Sequence, residues 1–232
     1  VLRLQARGLR VANGAVTIAN GDANGDANGD AKGGKSVRID VGATHVDAFD
    51  LFDKLATITG FDAHVEGADV TLAGNADLEG ALALAGHIEA PKAIAIEGVA
   101  LPFATPAAHA SFTVGGSAKA PVVSLDGKLA PFAPGGIVVD GADVALTVDK
   151  AHVAVDKLVA RLGAGAVHAR GSYRLDDGVV DVSADGDDVP LARLARALGA
   201  TELEAAKKAG SIGFQASAKG AAKGRATLVV DA

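Results

Sequence analysis

The feature that most constrains this chain is an alternation of apolar and polar residues with period two, repeated along most of its length. Val167 to Leu175 reads VHARGSYRL. Val167, Ala169, Tyr173 and Leu175 fall on one side, with Gly171 between them; His168, Arg170, Ser172 and Arg174 fall on the other. Successive side chains of a strand point to opposite faces, so the pattern specifies a half-buried strand. Asp177-Gly178 follows as a two-residue hairpin signal. The chain then returns as VVDVSA, with Val180, Val182 and Ala184 apolar against Asp181, Ser183 and Asp185. The same grammar governs DVALTVD (Asp143 to Asp149), HVAVD (His152 to Asp156), SVRIDV (Ser36 to Val41), DVTLAG (Asp69 to Gly74), PVVSLDGKL (Pro121 to Leu129) and GFQASAK (Gly213 to Lys219). The spacing predicts a dozen or more short antiparallel strands in a meander.

Repeats reinforce this reading. VEGADVTL (Val65 to Leu72) and VDGADVAL (Val139 to Leu146) are near copies, and VANGAVTI (Val11 to Ile18) is a weaker one. Each reads as strand, tight Gly turn, strand. A Gly-x4-Pro unit followed by a strand and Gly occurs at Gly86, Pro91, Gly98 and again at Gly116, Pro121, Gly127. Repeats of this size predict a sheet extended by stacking similar units rather than one closed core. Two stretches read as helical. DAFDLFDKLATI (Asp47 to Ile58) spaces Phe49, Phe52 and Leu55 at helical intervals, and PLARLARAL (Pro190 to Leu198) stripes Leu191, Leu194 and Leu198 behind a Pro suited to a first helical turn. Thr201 to Glu204 fits a capping box, extending the helical interruption over 190–208.

Composition sets the outer limits. Hydrophobic residues make up 49% of the 232, so general disorder is not expected, yet aromatics are only 3%. The apolar surface must come from Val, Leu, Ile and Ala. The net charge of −6 and the scattered basic residues give no positive footprint for nucleic acid. The chain has no Cys, which removes disulfides, thiolate catalysis and Cys-ligated zinc. It also has no Met, as expected of an internal piece of a longer protein or a processed product. No apolar run approaches the ~20 residues of a membrane-spanning helix, so any anchor is expected outside this segment.

The stretch NGDANGDANGD (Asn20 to Asp30) places oxygen ligands at alternate positions, like a calcium loop. An EF-hand loop also needs a bidentate Glu at position twelve. Counting from Asn20 that position is Ala31, and from Asn24 it is Lys35. The region 20–35 therefore reads as a low-complexity surface loop in a hairpin, where insertion costs little. The histidines His45, His64, His87, His109, His152 and His168 form no His-Glu-x-x-His or His-x-His pair, and are read as exposed strand residues rather than metal ligands. There is no Gly-x-Ser-x-Gly elbow and no phosphate-cradling Gly-x4-Gly-Lys-Ser/Thr motif. Acid pairs such as Asp176-Asp177 and Asp187-Asp188 sit where Asp is favoured structurally. No enzymatic activity and no cofactor is expected.

The segment from Asp143 to Leu198 runs through GAGAVHARGSYRLDDGVVDVSADG into DDVPLARL, and GSAKAPVVSLDGKL occupies Gly116 to Leu129. These resemble the AsmA/TamB superfamily of bacterial envelope proteins, in which a "small residue, Gly, Ser, aromatic" strand precedes a turn, another strand and an Asp-Leu-x-x-Leu-type helix. The NGDA run and the Phe49–Phe52 stretch fall outside that pattern. The resemblance implies an all-β, extended, curved and mainly antiparallel sheet, a half-pipe or β-taco with an apolar concave face and a few short helices. It implies that residues 1–232 are an internal segment of such a repeat β-domain, in the periplasm of a protein anchored in the inner membrane. The function it implies is to shield phospholipid acyl chains in a hydrophobic groove for transport and outer-membrane biogenesis, with outer-membrane assembly proteins as partners. The groove would be lined by Leu72, Leu82, Leu84, Val123, Leu125, Leu146, Val148, Val153, Val155, Val167, Leu175, Val180 and Val182. A structural or adhesive β-repeat module of a secreted or surface protein, with or without calcium at the NGDA loop, is the alternative; it would have a closed core.

Overall fold

In a computed structural model the described residues are 3–11, 14–19, 36–65, 67–92, 106–193, 210–221 and 227–231. They form fourteen strands of one sheet: β1 (Arg3–Val11), β2 (Gly14–Ala19), β3 (Ser36–Phe52), β4 (Leu55–Val65), β5 (Ala68–Asp77), β6 (Leu82–Ala90), β7 (Ala108–Ser117), β8 (Ala120–Leu129), β9 (Ala142–Val148), β10 (His152–Leu162), β11 (Gly165–Arg174), β12 (Val179–Pro190), β13 (Ser211–Ala221) and β14 (Thr227–Asp231). From β3 to β14 each strand pairs antiparallel with the next in sequence, and β1 and β2 both pair with β3. The sheet is open and curved. Extensive contacts between strands run only between hydrogen-bonded neighbours. No strand of the described residues folds back as a second layer.

A sheet of this kind cannot bury large side chains. Among the described residues the buried hydrophobics are nine, six of them alanines. Only Val189 is a large side chain fully removed from solvent. Val139, Ala142, Leu162 and Val189 come together at one end of β9 to β12. There Asp140 receives the Gly163 N–H, and Arg193 bonds the Val138 carbonyl and pairs with Asp140 at 2.9 Å.

The helix expected over Asp47 to Ile58 is absent. Residues 47–52 end β3, Asp53 turns with a positive φ of 56°, and β4 begins at Leu55. Phe49 and Leu51 pair with Ile58 and Ala56, whereas Phe52 and Leu55 pair with each other on the opposite face and stay 55% and 47% exposed. Helical spacing was coincidental: Phe49 and Phe52 point to different sides of a strand. The repeat at Val11 to Ile18 is also not a hairpin, since β1 and β2 lie end to end against the long β3. Before β9, Val139 bridges Phe132 in a loop rather than ending a strand. The hairpin at 65–72 forms as expected; that between β11 and β12 also forms, but turns through the four residues Leu175 to Gly178 rather than through Asp177-Gly178 alone. The segment 20–35 and most of the interruption at 190–208 lie outside the described residues. Ala19 pairs with Ser36, so the NGDA segment joins two paired strands, and residues 191–193 are helical.

Glycine and aromatic residues are matched across strands. Gly86 pairs with Phe112 and Gly186 with Phe214. A Cβ at Gly86 would stand 2.6 Å from Phe112 Cζ and inside contact distance of the Thr71 carbonyl. The Phe112 ring therefore lies across the glycine rather than projecting from the sheet. Gly86→Ala is expected to lower stability by about 1–3 kcal/mol through overpacking. Gly115→Ala, where an added Cβ meets nothing within 4 Å, should stay within about 0.5 kcal/mol. Urea denaturation of both variants checks this.

Candidate functional site

Directly opposed residues of an antiparallel pair share a face, so the register assigns every side chain to one side of the sheet. One row of opposed residues runs Leu72, Gly86, Phe112, Leu125, Leu146, Val155, Gly171, Val182 and Ala218. The row beside it runs Gly74, Leu84, Val114, Val123, Val148, Val153, Tyr173, Val180 and Gly220. Both rows are apolar throughout and cross nine strands without a break. Bulges in β10 and β12 shift the register without changing which face is apolar.

Ten of the thirteen residues expected to line a groove stand in these two rows. Leu82 lies on the same face opposite Ala76, and Val167 opposite Ala160 and Gly186. Leu175 follows β11 in the turn, its N–H bonded to the Ala151 carbonyl, and is 47% exposed. The face extends further than the sequence indicated. Leu4, Phe49, Leu51, Ile58, Phe61 and Val70 continue it through β1, β3, β4 and β5. The helical reading of 47–58 hid that part; the alternation of Phe49 and Leu51 against Asp50 was the available signal. Phe112 and Phe214 were also missed, because rings lying on glycines carry no motif of their own; Tyr173, which its alternation places on the apolar side, stands between Val153 and Val180.

The residues of this face are half-buried by their lateral neighbours and covered by no second layer among the described residues. Tyr173 is 38% exposed and Val182 37%. Among the described residues the face carries no ion pair; its chemistry is aliphatic and non-directional. What it can do is take apolar surface out of water.

The other face is polar and laced by cross-strand pairs. Arg161 bonds Asp143 at 2.7 Å and Lys219 bonds Asp181 at 2.7 Å. His64 meets Asp69 at 2.9 Å, His45 lies 3.5 Å from Asp62, and His109 pairs with Glu89. Exposed pairs of this type contribute little each and mainly fix register. The extra residue of the β10 bulge, Asp156, accepts a hydrogen bond from Thr147 at 2.7 Å. Bulges bend and twist a strand, and three shallow depressions lie around this one on the polar face. The largest, about 590 Å³, is lined by Asp156, Lys157, His168, Arg170, Ser183, Asp185 and Gln215 among others.

Four aspartates are held below the ordinary carboxylate range. The Gln5 amide, then Arg3, does this for Asp50. The Gly163 N–H, then Arg193, acts on Asp140; Arg161 acts on Asp143. At Asp149 the Ala151 and His152 N–H groups in the β9–β10 turn are the cause. Among the described residues no helix is long and apolar enough to cross a membrane. No family model, no curated protein and no solved structure matches the chain.

The sign of the pH dependence follows from these carboxylates. A folded-state value below the unfolded one contributes stability above the unfolded value, near 4, and loses it as pH falls through the folded one. Acid titration followed by circular dichroism should show stability flat down to about pH 4 and falling below it. Asp149→Asn should be less stable at neutral pH and show a shallower acid dependence.

Proposed function

We propose that this chain is a segment of a bridge-like lipid-transfer protein of the AsmA/TamB kind, its apolar face shielding phospholipid acyl chains. The observation that carries this reading is the continuous apolar face, with no second layer over it among the described residues. A closed adhesive or structural module would cover its aliphatic face with a second sheet, and the extensive strand contacts among the described residues run between hydrogen-bonded neighbours.

Magnitudes favour acyl chains as the cargo. Each methylene taken out of water is worth about 0.8 kcal/mol, so covering ten stabilises a bound chain by about 8 kcal/mol. The path from β1 to β14 contains thirteen strands. At a spacing of about 4.8 Å they span about 58 Å. A non-directional aliphatic surface of that length lets a chain slide from strand to strand with no hydrogen bond to break. Phe112 and Phe214, laid over Gly86 and Gly186, keep bulky side chains out of the way. On this reading the protein works between the two membranes of a bacterial envelope, in outer-membrane biogenesis. Its anchor lies outside the segment and its polar face is open to assembly partners.

Photo-crosslinking in a bacterial envelope tests it. A photoreactive residue at Val148 or Val182 should yield phospholipid adducts detectable by mass spectrometry, and one at Thr147, between two apolar positions of β9, should yield few. Leu125→Asp should cut co-purified phospholipid several-fold while leaving the strand content unchanged. Lipid adducts at Thr147 with none at Val148 and Val182 would remove the proposal.

A further inference from the structure

We propose that His168, Asp185 and Asp187, on the polar face, bind a divalent transition-metal ion with the preferences of Zn2+. They are the one group of three such side chains among the described residues whose ligand atoms all lie within 4.8 Å of one another. The site is on the opposite side of the sheet from the lipid-shielding face and does not depend on that function.

The register builds it. His168 in β11 stands directly opposite Asp185 in β12, and Asp187, two residues on and opposite Ala166, shares their face. Ala166 is small and leaves the imidazole and the second carboxylate free to approach each other. One imidazole and two carboxylates from two adjacent strands make a three-ligand set, with the remaining positions left to water or an outside ligand. The charge balances, since two carboxylates and a neutral imidazole offset a divalent ion. Ligand bonds of about 2.0–2.2 Å place ligand atoms about 3.5 Å apart in a tetrahedral site, which small rotations of these side chains reach.

Two observations separate this group from the rest of the polar face. His45, His64, His109 and His152 each sit in ion-pair contact with a carboxylate, and His87, which has no such contact among the described residues, belongs to no group of three ligands. His168 makes no such contact among the described residues, although two carboxylates face it, so the three ligand atoms converge without satisfying one another. A depression of about 590 Å³ opens beside His168 and Asp185, giving the open coordination positions room for water or a ligand. The neighbouring groups are otherwise engaged: Arg170 donates to Ser183 at 3.2 Å, and Asp188 accepts from Ser211 at 3.1 Å.

Isothermal titration of the metal-free chain with Zn2+ should give one saturable site per chain. His168→Ala and Asp187→Asn should each weaken it about tenfold or more, a loss typical of disturbed metal sites, and His152→Ala should leave it unchanged. Co2+ should give visible absorption bands in the parent chain that disappear in His168→Ala, with circular dichroism verifying that each variant is folded. A Zn2+ isotherm unaffected by His168→Ala and Asp187→Asn would overturn the assignment, as would the absence of any saturable binding.

Discussion

A sheet with one apolar face has to hide that face, fold over it, or use it, and the rest of this structure depends on which occurs. Here the strands continue side by side from β1 to β14, and among the described residues none returns as a second layer. Stability therefore rests on lateral contacts, the hydrogen-bond ladder and cross-strand side-chain pairs, rather than on a central core. That is why the buried hydrophobics among the described residues are only nine, six of them alanines. It is also why aromatics are scarce: a large ring has nothing to pack beneath. The rings that do occur on this face at Phe112 and Phe214 lie on glycines of the neighbouring strand.

Much of this was legible in the sequence because the period of a strand is two and the apolar set changes face only with a slip in register. In β9, in β11 and in β12 as far as Asp185 the alternation assigns each side chain to the face it occupies; the Asp156 bulge breaks it in β10, where Val159 stands opposite Asp143 and His168 on the polar face. It also fails where a second period fits equally well. Phe49, Phe52 and Leu55 satisfy helical spacing, and only pairing shows that Phe49 faces Ile58 while Phe52 faces Leu55 across a two-residue turn. The repeat at Val11 to Ile18 failed for another reason. A Gly turn marks a change of direction, not a partner, and β1 and β2 both take their hydrogen bonds from the seventeen-residue β3. Twelve of the thirteen candidate residues fall on one face because alternation is local, and Leu175 falls in the turn beyond β11. Convergence of His168 with Asp185 and Asp187 was not legible, because it arises from a cross-strand register that no motif spells.

The two faces are specialised by the same alternation. The apolar one is uniform over many strands, which suits a cargo that moves. The polar one is differentiated: ion pairs hold the register, and the Asp156 bulge in β10 opens depressions between ordered strands. A uniform face and a punctuated face on one sheet are compatible because a bulge displaces backbone locally while the apolar rows close up again on either side.

The central claim is that the apolar face is bare unless an outside molecule covers it. The chain contains no cysteine, so single cysteines report solvent access without background. In the delipidated protein, Leu125→Cys should react with a water-soluble maleimide at a rate comparable to Thr147→Cys and far faster than Val189→Cys. Phospholipid vesicles should slow Leu125→Cys and leave Thr147→Cys unchanged. If Leu125→Cys is as unreactive as Val189→Cys in the absence of lipid, protein already covers the face and the account is wrong.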